Sequence, residues 1–364
     1  MVRENCEIIA EPTQGYFRSP DIGYRNFPST RYQGSKLKLL DWIWESVRNL
    51  KFQNVLDAFG GTGCVSYLFK CQGKQVTYND ALKFNYQIGL ALIENQKVFL
   101  EPEDVDWLIN QHSSIRYRNV ISDNFKGIYF IDEENRWLDV LVQNIGQMKN
   151  KYKRALAWFA VFQSCIAKRP YNLFHRKNLY IRTAEVERSF GNKTTWDTPF
   201  EVHFRKYIAE ANACVFANEF RCGATNLDAF AINRKYDLVY IDTPYISKNG
   251  VGVDYFDFYH FLEGLVRYNE WENLINYQSK HRRLKGPKSL WTRKGEIYGL
   301  FETLVRQFPD SILAISYRSD GIPTGEELSQ LLGKYRKTVV ENHREYKYVL
   351  SNNKGAEEVL FVAY

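Results

Sequence analysis

Four consecutive residues, Asp242, Thr243, Pro244 and Tyr245, close the apolar run "YDLVYI" and are of types that can do chemistry together. The carboxylate can accept hydrogen bonds from an amino group. The carbonyl of residue 243 is biased toward an extended setting by the proline that follows it. Three positions after the acid, the tyrosine ring offers a face to a flat base. A plain strand-ending turn, with Asp and Pro in their common roles, uses the same residues. A second constellation, "DAFGGTG" at 57–63, also follows a short apolar run. Glycines at such a strand-to-helix turn let a bulky ligand approach the backbone. Asp80 ends the next apolar run, where a carboxylate can accept from ribose hydroxyls. The alternative is that the glycines only make a turn and Asp80 only caps a helix. Residue 66 is Ser, so the spacing is not the GxGxxG dinucleotide fingerprint. An adenosine-containing ligand is the better fit.

The elements around these residues must position them. "RYQGSKLKLLDWIWESV", 31–47, becomes amphipathic, with Leu37, Leu40, Ile43, Trp44 and Val47 on one helical face. Residues 52–70 read as a strand to Ala58, a glycine turn and a helix; 74–79 read as a strand and 81–95 as a helix. That alternation argues for an α/β fold with a mostly parallel sheet. Between 97 and 215 the rhythm is lost. "PEDVDWLINQH" and "NKYKRALAWFAVFQSCIA" carry helical spacing, whereas 176–200 read as loops and short strands. A helix at 204–217, the strand "KYDLVYI" and the strand "SILAISYR" restore it, and two β-rich pieces after 336 suit an antiparallel edge. The turn-rich first thirty residues read as an extended arm. The domain division expected is 1–96 and 216–364 for one catalytic unit, with 97–215 inserted and a further basic insertion at about 260–298.

The bulk composition narrows the partners. Against 42 acidic residues stand 49 Lys and Arg, a formal +7 that suits a polyanion. The segment "SKHRRLKGPKSLWTRKG", 279–295, places Arg282, Arg283, Lys285, Lys288 and Arg293 around Trp291, where the cations can meet phosphates and the ring can wedge or stack. Lys168 and Arg169 form a smaller basic group inside the insertion. A solvated surface loop explains either segment equally. Six cysteines without CxxC pairing read as reduced, mostly buried thiols of a cytoplasmic protein. No metal-ligand spacing is present, and no apolar run is long enough for a membrane role.

Taken in order, the motifs resemble those of the Dam-like, or D12, class of bacterial adenine-N6 DNA methyltransferases, over residues 28–96 and 210–364. "RYQGSK" looks like the family's N-terminal cofactor motif (Tyr32, Gly34, Lys36), "DAFGGTG" like its FxGxG loop (Asp57, Phe59, Gly61, Gly63), and "YND" matches its ribose-binding position at Asp80. Asp228 matches an acid that contacts the cofactor adenine, and "DTPY" matches the catalytic tetrapeptide, with Thr243 where the family usually has proline. The resemblance implies a Rossmann-like class I methyltransferase sheet, S-adenosyl-L-methionine as cofactor, and transfer to an adenine flipped out of double-stranded DNA. It further implies that 97–215 holds most of the target-recognition domain and that a cognate restriction endonuclease can act separately, and no metal is needed because methyl transfer from a sulfonium has a built-in leaving group. Two other readings keep the fold: a cytosine-N4 DNA or RNA adenine methyltransferase, and a DNA-binding relative impaired in transfer.

Overall fold

The computed structural model describes residues 15–19, 23–186, 193–250, 252–286, 288–345 and 357–364. Its first described element is an antiparallel hairpin, β1 (Gly15–Ser19) with β2 (Gly23–Phe27), instead of the expected extended arm. Residues 1–14 and 20–22 of that expected arm lie outside the described residues. Beyond the hairpin the amphipathic stretch forms a single 3-10 turn, Leu37–Leu39, and then the helix Leu40–Val47, which buries Leu40, Ile43 and Val47.

The remaining strands are β3 (Asn54–Asp57), β4 (Gln75–Asn79), β5 (Gly223–Thr225), β6 (Leu238–Ile241), β7 (Ile312–Arg318), β8 (Val339–Glu345) and β9 (Glu357–Ala363), in the spatial order β5-β4-β3-β6-β7-β9-β8. Pairing is parallel from β5 to β7, and β9 is antiparallel to both β7 and β8. This is the mostly parallel sheet with an antiparallel edge that the alternation predicts. Its central strands are buried on both faces, so their side chains alternate between two cores. Val55, Leu238 and Tyr240 point into one core, and Leu56, Val239 and Ile241 into the other.

Strand order reverses between β3 and β6, the place where open α/β sheets form a crevice at the carboxyl ends of the strands. Asp57 ends β3, the Ala58 amide donates to the Tyr240 carbonyl at 3.0 Å, and Asp242 follows β6 directly. The topology thus delivers the two sequence constellations to one crevice.

Between 97 and 215 the structure is helical, with Pro102–Ile109, Asp132–Gln147, Lys151–Ala167 and Phe200–Cys214 as its main helices. Helix Asp132–Gln147 lacks an expectation from sequence. In 176–200 the short helices Leu179–Thr183 and Lys193–Asp197 replace the expected short strands, and 187–192 lie outside the described residues. Phe162, Phe204, Phe261 and Trp271 share one continuous apolar core with Val55 of β3 and Phe69 of the helix Cys64–Cys71.

Tyr78 of β4 fixes the turn after β3. Its hydroxyl reaches the carbonyls of Gly61 at 2.8 Å and Asn85 at 3.0 Å, and a side chain at Gly60 would place Cβ 2.1 Å from the ring. Overpacking of that kind costs roughly 1–3 kcal/mol. Gly60→Ala is therefore expected to lower the denaturation midpoint, as urea unfolding would read. An unchanged midpoint would mean that the Tyr78 ring swings clear and does not hold the turn.

Candidate active site

The first half of the crevice is the turn after β3. Gly61 and Gly63 have φ of +50° and +77°, values that favour glycine. A Cβ at Gly61 would come no closer than 3.9 Å to its neighbours, so this side of the turn is open to a ligand. Phe59 packs edge-on against Trp291 at 5.2 Å. Behind the turn, Asp57 is buried: Oδ2 accepts from the Ser66 hydroxyl at 2.7 Å, while Oδ1 has no well-formed hydrogen bond, and the Phe59 amide only helps its charge electrostatically. Burial pushes its carboxyl up to about 7.

Asp80 already has three protein donors. Oδ2 accepts from the Gly61 amide and the Asn85 amide group, both at 3.0 Å, and Oδ1 accepts from the Leu82 amide at 2.8 Å. A carboxylate has about four acceptor sites, so a ribose hydroxyl must take the last one or displace the Gly61 amide. Burial pushes Asp80 up to about 6. Asp228 stands at the surface, capping a 3-10 turn through the Phe230 amide at 2.9 Å.

The second half is a cluster around one ammonium. Lys36 Nζ lies 2.9 Å from Asp242 Oδ1, 3.3 Å from Glu358 Oε1 and 2.5 Å from the Tyr245 hydroxyl, which uses all three of its donors. Burial disfavours the cation, but Asp242 and Glu358 outweigh it and hold the lysine above its ordinary value. Asp242 is itself raised, first by burial, with Lys36 pulling down and Glu358 pushing up. The Tyr245 hydroxyl is 2.9 Å from Asp242 Oδ1 and 2.7 Å from Glu358 Oε1, and its ring packs edge-on against Tyr317 at 5.1 Å. Thr243 is buried, its hydroxyl without a hydrogen-bond partner, and Pro244 is half-buried beside it.

The N-terminal motif is tied down by rings. Tyr32 stacks on Tyr259 at 4.4 Å and Tyr255 at 5.7 Å, and the Gln33 amide donates to the Tyr259 hydroxyl at 2.8 Å. Gly34 has φ +81°, and a Cβ there would lie 2.3 Å from the Tyr255 hydroxyl.

Tyr255 and Tyr259 were not singled out by sequence, although their i, i+4 spacing in "DYFDFYHFL" is a usable sign. Glu358 was missed as well. Its sign is a pair of acids opening a buried apolar strand, "EEVLFVA".

Two carboxylates, Asp242 and Glu358, thus contact a single lysine, and two more, Asp57 and Asp80, lie at the turn after β3. This excess of acceptors and negative charge suits a cationic ligand with hydroxyl and amino groups, and S-adenosylmethionine fits that description. Tyr32, Gly34, Lys36, Asp57, Phe59, Gly61, Gly63, Asp80 and Asp242 lie along the crevice, with Asp228 at its rim.

The basic residues divide. Arg282, Arg283, Lys285, Lys288 and Arg293 are partly or fully exposed in the segment expected to meet DNA. Arg282 donates to the Tyr277 carbonyl at 2.6 Å, Arg283 approaches Asp257 at 3.7 Å and Lys285 donates to the Asn273 carbonyl at 3.1 Å. Lys168 and Arg169, each 1% exposed, are placed otherwise. Lys168 pairs with Glu134 at 2.8 Å and donates to the Trp196 carbonyl at 2.7 Å. Arg169 lies over the Tyr129 ring at 4.4 Å and donates to the Tyr129 and Leu173 carbonyls. Both cations are engaged inside the protein, which argues against the phosphate contacts expected of them. Trp291 is also not a free wedge, being buried against Phe59, Phe230 and Phe301.

Comparison with known proteins agrees with the geometry. The profile of the D12 class N6 adenine-specific DNA methyltransferases matches residues 32–286. The type II methyltransferase M2.HphI of Haemophilus parahaemolyticus is 30% identical over 347 residues, covering 92% of this chain and 97% of that protein. M.CviAII of Paramecium bursaria Chlorella virus 1 is 24% identical over 92% of this chain and 98% of its own length. M.FokI of Planomicrobium okeanokoites is 26% identical over 87% of this chain, which corresponds to 48% of that longer protein.

The buried Asp57 generates a pH test. Its folded-state value, about 7, lies above the ordinary 3.8, so the folded chain holds this proton more tightly than the unfolded chain. Its contribution is fully present below the ordinary value and is lost as pH rises through about 7. Stability of Asp57→Asn is accordingly expected to fall less steeply than wild type between about pH 4 and pH 7. Denaturant unfolding across that range checks it, and parallel curves would remove Asp57 as a titrating group.

Proposed function

Because the chain belongs to the D12 class of N6 adenine-specific DNA methyltransferases, we propose that Asp242 and the carbonyl of residue 243 accept the amino hydrogens of the target adenine, with Tyr245 beside the base. The chain is an S-adenosylmethionine-dependent enzyme whose substrate is double-stranded DNA. The observation that carries the assignment of roles is the placement of Asp242 at the crevice, half-buried and ion-paired to Lys36 through one oxygen only.

Adenine N6 is a poor nucleophile because its lone pair is drawn into the ring, and acceptors aimed at its hydrogens return electron density to nitrogen. Asp242 Oδ1 is engaged by Lys36 and Tyr245, which leaves Oδ2 for the amine. S-adenosylmethionine supplies a methyl group already activated on a sulfonium. Tyr32, Gly34, Phe59, Gly61, Gly63 and Asp80 are the residues we assign to holding it, with Asp57 behind the turn and Asp228 at the adenine end. Gly61 and Gly63 leave room for its approach. Tyr245 orients Asp242 through its hydroxyl, and its ring can pack on the extruded base. The proton released on transfer has Asp242 as its nearest acceptor, and burial already favours that protonation.

We assign residues 97–215 to most of the target recognition, and the surface cations Arg282, Arg283, Lys285, Lys288 and Arg293 to the DNA backbone. The names of the relatives, type II and modification methyltransferases, support a place in a restriction-modification system, where a cognate endonuclease would act separately. No described helix is long and apolar enough to cross a membrane, and a DNA substrate suits a place in the cytoplasm.

Asp242→Ala is expected to lower single-turnover methylation by roughly 10²- to 10⁴-fold while cofactor affinity, measured by calorimetry, stays within a few-fold. Near-normal transfer would sink the mechanism. Base-resolved sequencing of DNA from a methylation-free host expressing the wild type identifies the methylated base and its sequence context in one measurement. For the surface cations, the triple change Arg282→Ala, Arg283→Ala and Lys285→Ala should lower the salt slope of duplex binding by up to about 3 units, near 1 per lost contact. The preferred sequence should remain. A slope equal to wild type would return the segment to a plain solvated surface.

A further inference from the structure

Glu358 lies on β9, at the far side of β7 from the catalytic tetrapeptide, and is 0% exposed. A carboxylate in such a place needs a reason, because removing it from water is costly unless it is fully paired. Its Oε1 gathers three donors: the Ser316 hydroxyl at 2.6 Å, the Tyr245 hydroxyl at 2.7 Å and Lys36 Nζ at 3.3 Å. Two of these also touch Asp242.

The tyrosine hydroxyl has a single hydrogen. Lys36 donates to its oxygen, so that hydrogen is shared between Asp242 Oδ1 at 2.9 Å and Glu358 Oε1 at 2.7 Å. The two carboxylates compete for one donor, and the shorter contact is to Glu358. Whenever the hydrogen points to Glu358, Asp242 keeps more of its accepting capacity for the adenine amine. Were Glu358 neutral, the tyrosine hydrogen and the lysine would both turn to Asp242.

We propose that Glu358 is a positioning residue for methyl transfer, drawing the Tyr245 hydrogen and part of the Lys36 charge away from Asp242 so that Asp242 faces the target amine as a strong acceptor. The proposal rests on the reading of Asp242 as that acceptor. Glu358 itself touches neither base nor cofactor in this role, and no bond to it forms or breaks.

The groups facing Asp242 define what a pH profile can report. They are Lys36 and Tyr245 by hydrogen bond, Glu358 by charge, and Tyr240, Tyr255 and Asp57 around them. Asp242 must be ionised to accept, so transfer fails as pH falls through its titration. Glu358 pushes that titration up, so neutralising Glu358 should move the acid limb to lower pH. A role in packing alone would leave the limb in place.

The test uses the full-length chain and single-turnover methylation of one defined duplex across pH. Glu358→Gln is expected to lower the plateau rate about tenfold, a coupling typical of residues in one hydrogen-bond network, with cofactor and duplex affinities within about twofold of wild type. Its acid limb should lie at lower pH. In the Tyr245→Phe background, where the shared hydrogen is absent, Glu358→Gln should cost less than about threefold. An equal loss in both backgrounds, or an unmoved limb, overturns the proposal. If Glu358→Gln does not fold, as judged by its denaturant unfolding curve, Glu358→Asp, which keeps the charge but shortens the reach to the Tyr245 hydroxyl, is put through the same Tyr245→Phe cycle, and an equal loss in both backgrounds overturns the proposal. Asp242→Asn run alongside separates the layers. Normal transfer by that variant removes the reading of Asp242, whereas an inactive Asp242→Asn with a wild-type Glu358→Gln removes only the role of Glu358.

Discussion

A lysine ammonium held out of water is stable only where acceptors replace its lost hydration, and Lys36 finds them in two segments remote from it in sequence. Asp242 and Tyr245 follow β6, Glu358 lies on β9, and the lysine itself sits just before the 3-10 turn that leads into helix Leu40–Val47. Breaking a buried pair by removing one partner typically costs about 3–5 kcal/mol, because the other charge is stranded. The cluster therefore pins the N-terminal motif, the exit of β6 and the antiparallel edge to one another. The same constraint shapes the chemistry. Two carboxylates against one ammonium leave an excess of negative charge, and Asp80, pushed up only to about 6, adds to it from the turn after β3. Such a field opposes an anionic ligand and favours a cation, which suits a sulfonium cofactor and is kept from the DNA phosphates by its depth.

Much of the sheet was legible in the sequence because buried parallel strands announce themselves as short apolar runs that end on a polar residue. β3, β4, β6 and β7 were read in this way, and Asp57, Asp80 and Asp242 were found because each sits at or just beyond such an end. β5 was not, since "GAT" carries no apolar run and is a strand only by its pairing with β4. The helix Asp132–Gln147 was hidden differently. Its buried face includes Asn135, Asp139 and Asn144, and Asp139 accepts from the Ile121 and Ser122 amides and the Tyr268 hydroxyl. Polar residues on a buried face erase the periodicity on which such a reading depends. The opening arm became a hairpin because strand pairing satisfies its backbone, a gain that turn-rich composition does not reveal.

Charge was the least legible property. A lysine or arginine in sequence reads as surface, yet Lys168, Arg169 and Arg182 are buried around Glu134, the Tyr129 ring and a set of carbonyls. Arg169 and Lys168 have their ordinary values lowered by burial, a cost that those carbonyls, rings and the Glu134 carboxylate offset. Glu358 is the mirror case, an acid that looks like the polar start of a strand and is the most enclosed carboxylate of the site. What separates such residues from exposed ones is the long-range company they keep, between residues 168 and 134, or 358 and 36. Local spacing contains no record of it.

Trp291 shows how the same long-range packing joins parts that the sequence presents as separate. It belongs to the basic segment, but its ring lies parallel to Phe230, next to the Asp228 cap, and edge-on to Phe59 of the glycine turn. Phe301 closes its remaining side at 5.5 Å. Protein interiors are packed too densely for one ring in such a nest to shift while the others stay put. The exposed cations on either side of Trp291, Lys288 and Arg293, are thus mounted on the same small core that shapes the cofactor turn. Under the proposed assignment of those cations, a backbone phosphate would meet a platform whose position is set from within the crevice, so that DNA contact and cofactor contact would share one mechanical support.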